Sequence, residues 1–160
     1  MNNQQFFDIT IAHLRLQKVP AVVTRKRADG TDNVACVYRG TTDGSGWTPE
    51  TPADKTLMCA VGKHLPDALI AQHMYINTES FGSLIDEDDA PDAQVREVVN
   101  TIFAGVDHEL IVHMQGVHDH AGAKSEVRDD REYVRFEGPA FEDKLREAAR
   151  MYKLDYRRVA

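Results

Sequence analysis

Four of the seven histidines fall between His108 and His120, and the run His118-Asp119-His120 concentrates the chain's acid–base chemistry. An imidazole at the C-terminal end of a helix is stabilised in its charged form, and a neighbouring carboxylate raises its pKa further. Such a pair suits general acid–base work, and His13 is the third candidate for a catalytic role beside His118 and Asp119. His108, His113 and His118 are five residues apart, so each step turns about 140° around a helix and the three do not share a face. The i, i+4 pairing of a helical zinc site is missing. Gln115 lies three residues before His118 and shares its face. The alternative is plain C-terminal capping with solvent-exposed imidazoles.

Cys36 and Cys59 are the only cysteines. With His13 and His118 they supply the donor set of a Cys2His2 zinc site, although their spacing is not that of a zinc knuckle. A Cys–His nucleophilic pair would use the same atoms, with the imidazole activating a thiolate. Against both stands the common use of small buried cysteines as core residues. No cofactor other than this zinc alternative is expected.

These side chains need elements to hold them. A first helix is expected from about Gln4 to Lys18, ending before Pro20. Phe6, Ile9, His13, Leu16 and Gln17 share one broad face, widened by Phe7, Ile11 and Leu14. Ala21–Thr24 reads as a short strand next to the basic Arg25-Lys26-Arg27 and the turn residues Asp29-Gly30. Val34–Arg39 reads as a better strand, with Thr56–Val61 as its antiparallel partner. The connection from about 40 to 55 is expected to be long and exposed, and it holds the only tryptophan, Trp47. A helix should follow Pro66 and end near Tyr75. Residues 79–92 carry six acids and no base, and read as a solvated loop. Helices are expected after Pro91, over about His108–His118 and after Pro139, with a polar loop at 121–130 and an extended Tyr133–Phe136. The expected fold is one α+β domain over 1–160, mostly helical, with a small antiparallel β-hairpin or sheet.

At 160 residues with 42% apolar and 28% charged residues, the chain has globular composition, which excludes wholesale disorder and a disulfide miniprotein. Nineteen basic against 26 acidic residues leave a net charge of −7. So acidic a chain is a poor nucleic-acid coat, and the basic turn at 25–27 reads as a solvated hairpin tip. No run approaches the roughly 20 apolar residues of a membrane helix. The N-terminus lacks the basic start and apolar stretch of a signal peptide. A cytoplasmic protein with free thiols is therefore expected.

The order His13-Leu14-x-x-Gln17, Cys36-x-Tyr38-Arg39, Cys59-Ala60-Val61-Gly62-x-x-Leu65-Pro66-Asp67 and Gln115-x-x-His118-Asp119 resembles a family of small uncharacterised proteins encoded mostly by bacteriophages and prophages. The resemblance covers nearly the whole chain, and Cys-Ala-Val-Gly is its most specific block. The longer hairpin loop, His64, Met114 and the acidic run depart from the family pattern. The resemblance implies a setting rather than a mechanism. In that setting the chain is expected to bind a host protein or a small ligand, blunting a host defence or redirecting host machinery. The alternatives are a small hydrolase-like enzyme built on His/Asp or Cys/His, with or without a metal, and a virion-associated or structural protein. In structural terms, His13, Gln17, Cys36, Cys59, Gln115, His118 and Asp119 are expected to converge. They would form either a junction locking helix to sheet or a ligand pocket with Arg39 as its anion-recognising edge.

Overall fold

The computed structural model describes residues 1–26, 28, 30, 32–86, 92–120, 123–128, 131–136 and 138–156. Arg27 of the basic turn, Asp29 of the adjoining turn and residues 87–91 of the acidic run lie outside the described residues. Six α-helices and three two-stranded antiparallel sheets are described, which makes the chain a mostly helical α+β domain. No helix among the described residues is long and apolar enough to cross a membrane.

Helix α1 spans Asn3–Gln17. Asn2 caps it reciprocally: its side chain accepts the Gln5 N–H at 2.9 Å while its own N–H donates to Gln5 Oε1 at 3.0 Å, satisfying two donors that the helix leaves open. Lys18 ends it in left-handed geometry at φ 64°. The buried stripe is Phe6, Phe7, Thr10, Ile11 and Leu14. Ile9 and Leu16, expected on that stripe, are exposed. The interior lies a step around the helix, leaving His13 and Gln17 at its edge.

Strands β1 (Val22–Lys26) and β2 (Asp32–Cys36) pair with Val22 opposite Cys36, and β3 (Arg39–Thr41) pairs with β4 (Thr56–Met58) with Arg39 opposite Met58. The expected pairing of 34–39 with 56–61 is therefore only partly realised. The run breaks at Val37-Tyr38, where Val37 N–H still follows β1 to Ala21 O at 3.0 Å but Tyr38 N–H turns to Asn77 O at 3.0 Å. The chain thereby changes sheets between Cys36 and Arg39. Trp47, expected in an exposed loop, is buried in the core.

After β4 the chain makes a tight turn at 59–62, a 3-10 turn at Gly62–His64, helix α2 (Asp67–Gln72) and a second 3-10 segment, Met74–Thr78. A side chain at Gly62 would place its Cβ 2.2 Å from the Tyr38 carbonyl oxygen. This contact explains the glycine of the Cys-Ala-Val-Gly block in physical terms. Gly62→Ala is expected to cost about 1–3 kcal/mol or more, because backbone rather than a mobile side chain must move. The denaturant midpoint reads it.

Helix α3 (Phe81–Ile85) lies inside the stretch expected to be a solvated loop. Ser80 caps it by accepting the Ser83 N–H at 3.1 Å, and Phe81 and Leu84 are buried. The surrounding acids hide this short i, i+3 apolar pair. Helices α4 (Ala93–Ile102) and α5 (His108–His120) follow. Strands β5 (Ala123–Arg128) and β6 (Arg131–Phe136) pair where a polar loop was expected before 131. β5 reads Ala-Lys-Ser-Glu-Val-Arg and offers one large apolar residue, so composition conceals it. Helix α6 (Gly138–Met151) packs Phe141, Leu145, Ala148 and Ala149 into the core.

His64 sits against the rings of Phe6 and Phe103 at 4.9 and 5.9 Å. Its Nε2 lies 2.9 Å from the buried Thr10 hydroxyl. Burial lowers its pKa from 6.5 to about 4. Between these values the unfolded chain takes a proton that the folded ring refuses. Stability is therefore full above pH 6.5 and falls as the pH drops toward 4, by about 2–3 kcal/mol. Denaturation at a series of pH values should show this slope, and His64→Gln should flatten it.

Candidate functional site

His118 occupies the last turn of α5 and is fully buried. Its Nε2 accepts the Ala21 backbone N–H at 2.9 Å, and its Nδ1 lies 2.7 Å from Asp119 Oδ1. A backbone amide only donates, so Nε2 is the bare nitrogen. Nδ1 therefore carries the ring proton and donates it to the Asp119 carboxylate. The imidazole is neutral, and both its nitrogens are engaged. Its ring also meets Phe136 edge-on, with centroids 5.7 Å apart.

Asp119 retains some exposure and faces the Cys36 thiol at the end of β2. Cys36 Sγ, a His118 ring nitrogen and an Asp119 carboxylate oxygen lie within 4.8 Å of one another. Burial and then the Asp119 charge push the Cys36 pKa up. Cys59, just beyond β4, is fully enclosed, and burial raises its pKa to about 12. Its Sγ accepts the Gly62 N–H at 3.1 Å. Cys36, Tyr38, Cys59, Glu79, Gln115 and Asp119 share the walls of one small cavity of about 10 Å³, room for a single water. Gln115 reaches it from α5 while its Oε1 accepts the Phe81 N–H at 3.1 Å, tying α3 to the same corner. The Tyr38 hydroxyl is deeply buried and, among the described residues, is the one buried side-chain polar atom with no hydrogen-bond partner.

The other expected site residues form adjoining junctions. His13 Nε2 donates to Met58 O at 3.0 Å, and burial lowers its pKa. Gln17 brackets the same residue: its Oε1 accepts the Met58 N–H at 2.8 Å and its Nε2 donates to Met58 O at 3.0 Å and Val19 O at 2.7 Å. Helix α1 thus pairs with β4 through one carboxamide and one imidazole, in the manner of an extra strand. Arg39 is buried with its guanidinium turned inward. Nε donates to Asp67 Oδ1 at 2.7 Å, Nη2 to Leu65 O at 2.6 Å, and Nη1 to Gly62 O and, at 3.3 Å, to Tyr38 O. These acceptors are protein groups, so the fork clamps the 62–67 turn.

The structure brings Cys36, Cys59, Gln115, His118 and Asp119 to one corner. It leaves His13, Gln17 and Arg39 on the neighbouring junctions. Tyr38 and Asn77 were not singled out for a site. Asn77 mimics a strand for Arg39, accepting its N–H at 2.7 Å and donating to its carbonyl at 2.9 Å. Nothing in the pattern around Asn77 announces this. Tyr38 carries a weak signal, its place in Cys-x-Tyr-Arg.

The arrangement limits the chemistry. A Cys–His nucleophile needs an imidazole nitrogen free to take the thiol proton, and His118 offers none. A metal on His118 Nδ1 would displace the ring proton while Nε2 still faced an N–H, forcing an imidazolate. His118 is thus an orienting group for Asp119 and not a ligand in this geometry. Compared with protein-family models, with curated proteins and with solved structures, the chain matches none.

Proposed function

We propose that this chain works by binding a protein partner, as an accessory protein of the phage type, in keeping with the resemblance of its motifs. The observation that carries this reading is the state of His118. With Nε2 held by Ala21 N–H and Nδ1–H held by Asp119, the strongest candidate for acid–base catalysis has no nitrogen left for a substrate. The cavity beside it, about 10 Å³, is far below the roughly 300–1,000 Å³ of a preformed site for an organic ligand. That size favours a protein partner over a small molecule. The net charge of −7 favours a partner with a basic surface, including one that otherwise holds nucleic acid. Host-directed action remains part of the proposal, and the polar corner serves it by fixing the shape of the surface.

Co-purification at low and at high salt tests the reading. The expected result is one stoichiometric partner with a basic face, released as salt screens the contact. A chain that stays alone and turns over a substrate, with turnover abolished by Asp119→Asn at unchanged stability, would establish the enzyme instead.

A further inference from the structure

We infer that the outer face of α1 binds a second copy of this chain, helix against helix, antiparallel about a two-fold axis near Ala12. This goes beyond the partner-binding reading and does not depend on it.

Helix α1 turns apolar side chains outward as well as inward. Phe6, Phe7, Ile11 and Leu14 are buried, while Ile9, Ala12 and Leu16 are exposed. At about 100° per residue these three lie within roughly 60° of one another, on the side away from the buried stripe. The exposure is large, 45% for Ile9 and 83% for Leu16. A single exposed leucine is ordinary, but a helix with apolar residues on both sides calls for cover on both sides. Between Ile9 and Leu16 the one charged residue, Arg15, bends aside to Glu142 at 2.8 Å, so the outer stripe is uninterrupted.

Shape and charge both select a copy of the same chain. Ala12 is small and stands between Ile9, three residues before it, and Leu16, four residues after it. Two such helices crossing antiparallel at Ala12 approach to about 8 Å, and each Ile9 then lies beside the Leu16 of the other copy. This is the isologous contact of a two-fold dimer, in which one patch serves both sides. The charges favour the same direction. Asp8 is exposed near the N-terminal end of the stripe, where its carboxylate takes the Gln4 amide at 2.8 Å. Lys18 is exposed at the other end. Among the described residues, Lys18 is the basic side chain of that end without an ion pair, since Arg15 pairs with Glu142 and Arg146 with Asp143. An antiparallel pair sets each Asp8 toward a Lys18 and aligns the two helix dipoles favourably, whereas a parallel pair sets Asp8 against Asp8. For chains of net charge −7, such local pairing is what lets two copies approach. A helix of 15 residues is about 22 Å long. A contact of that length falls short of the roughly 1,200 Å² buried in a stable interface, so the dimer is a weak one.

Sedimentation equilibrium of the full, untagged chain over a range of concentrations is the test. The expected result is a reversible monomer–dimer equilibrium with a Kd on the order of 100 μM and no larger species. Leu16→Glu should weaken association by about tenfold or more while leaving the circular dichroism spectrum unchanged, because residue 16 takes no part in the core. Asp8→Lys and Lys18→Asp should each weaken it, since each sets like charges together, and the double variant Asp8→Lys/Lys18→Asp should restore it. In a parallel pair the single Asp8→Lys change would merely replace one like-charge contact by another. A chain that stays monomeric at about 1 mM would overturn the proposal. So would a dimer unmoved by Leu16→Glu, or one that the double charge variant fails to restore. Binding of a monomer to vesicles of neutral lipid, lost in Leu16→Glu, would give the face to a membrane and overturn it as well. Because the wild-type concentration series stands without any variant, a misfolded mutant does not rescue the idea.

Discussion

Arg39→Ala is expected to produce the largest loss of stability of any single substitution at the polar junctions, about 3–5 kcal/mol, the range for removing one partner from a buried charged network. The guanidinium is 2% exposed and donates to three backbone carbonyls, those of Tyr38, Gly62 and Leu65, besides Asp67. Truncation takes from Leu65 O the donor that now serves it, removes the second donor of Tyr38 O and Gly62 O, which keep the Cys59 and Leu65 amides, and opens a cavity behind the Cys59–Gly62 turn. For a chain of this length the loss corresponds to a Tm lower by about 10 °C or more. The ion pair contributes little to this. Asp67 is 64% exposed, so Asp67→Asn should cost under about 1 kcal/mol. Arg39→Lys should recover only part of the loss, since an ammonium lacks the planar fork that reaches separate carbonyls. Thermal denaturation of the three variants separates the effects. A small loss in Arg39→Ala would mean that the guanidinium is free to serve a ligand.

His118→Ala should be nearly as damaging, at about 3–5 kcal/mol, because three costs coincide. The Ala21 N–H, on a residue with no exposure, loses its acceptor. Asp119 loses the donor at 2.7 Å, and the space against Phe136 empties. Asp119→Asn should cost less, about 1–2 kcal/mol, because the carboxamide still offers an oxygen to Nδ1–H and only the charge is removed. A catalytic histidine would behave otherwise, with activity lost at an unchanged melting temperature.

Much of the fold was legible because helices announce themselves by period. Residues 95–103 carry their apolar spacing openly, α1 and α5 begin and end close to their expected limits, and α6 starts at Gly138, close to its expected start after Pro139. Strands were harder. The Val34–Arg39 run reads as continuous by composition, and its break depends on Asn77, a residue about 40 positions away that takes over the hydrogen bonds of Tyr38 and Arg39. No local pattern encodes that contact. α3 hid among acids and β5 among polar residues for a related reason. Average polarity over a window overrides two buried side chains in one case and a ladder of backbone hydrogen bonds in the other.

For the candidate site, residue types identified the members but not their orientation. Type alone allowed His118 to be a base, a zinc ligand or a helix cap. The deciding partner is the amide of Ala21, which carries no side-chain signature at all. Arg39 likewise read as an anion binder because arginine forks suit anions, and here the fork faces carbonyls of its own chain. Gly62 was recognisable as part of a motif, and its reason, the approach of Tyr38 O, emerges only in three dimensions.

The central claim is that His118 is held neutral, with its proton on Nδ1 and Nε2 accepting from Ala21. Long-range ¹H–¹⁵N NMR of the histidine side chains tests it directly. The account predicts a pyrrole-like Nδ1 and a pyridine-like Nε2 for His118, with a slowly exchanging Nδ1–H proton. A ring proton found on Nε2 would contradict it.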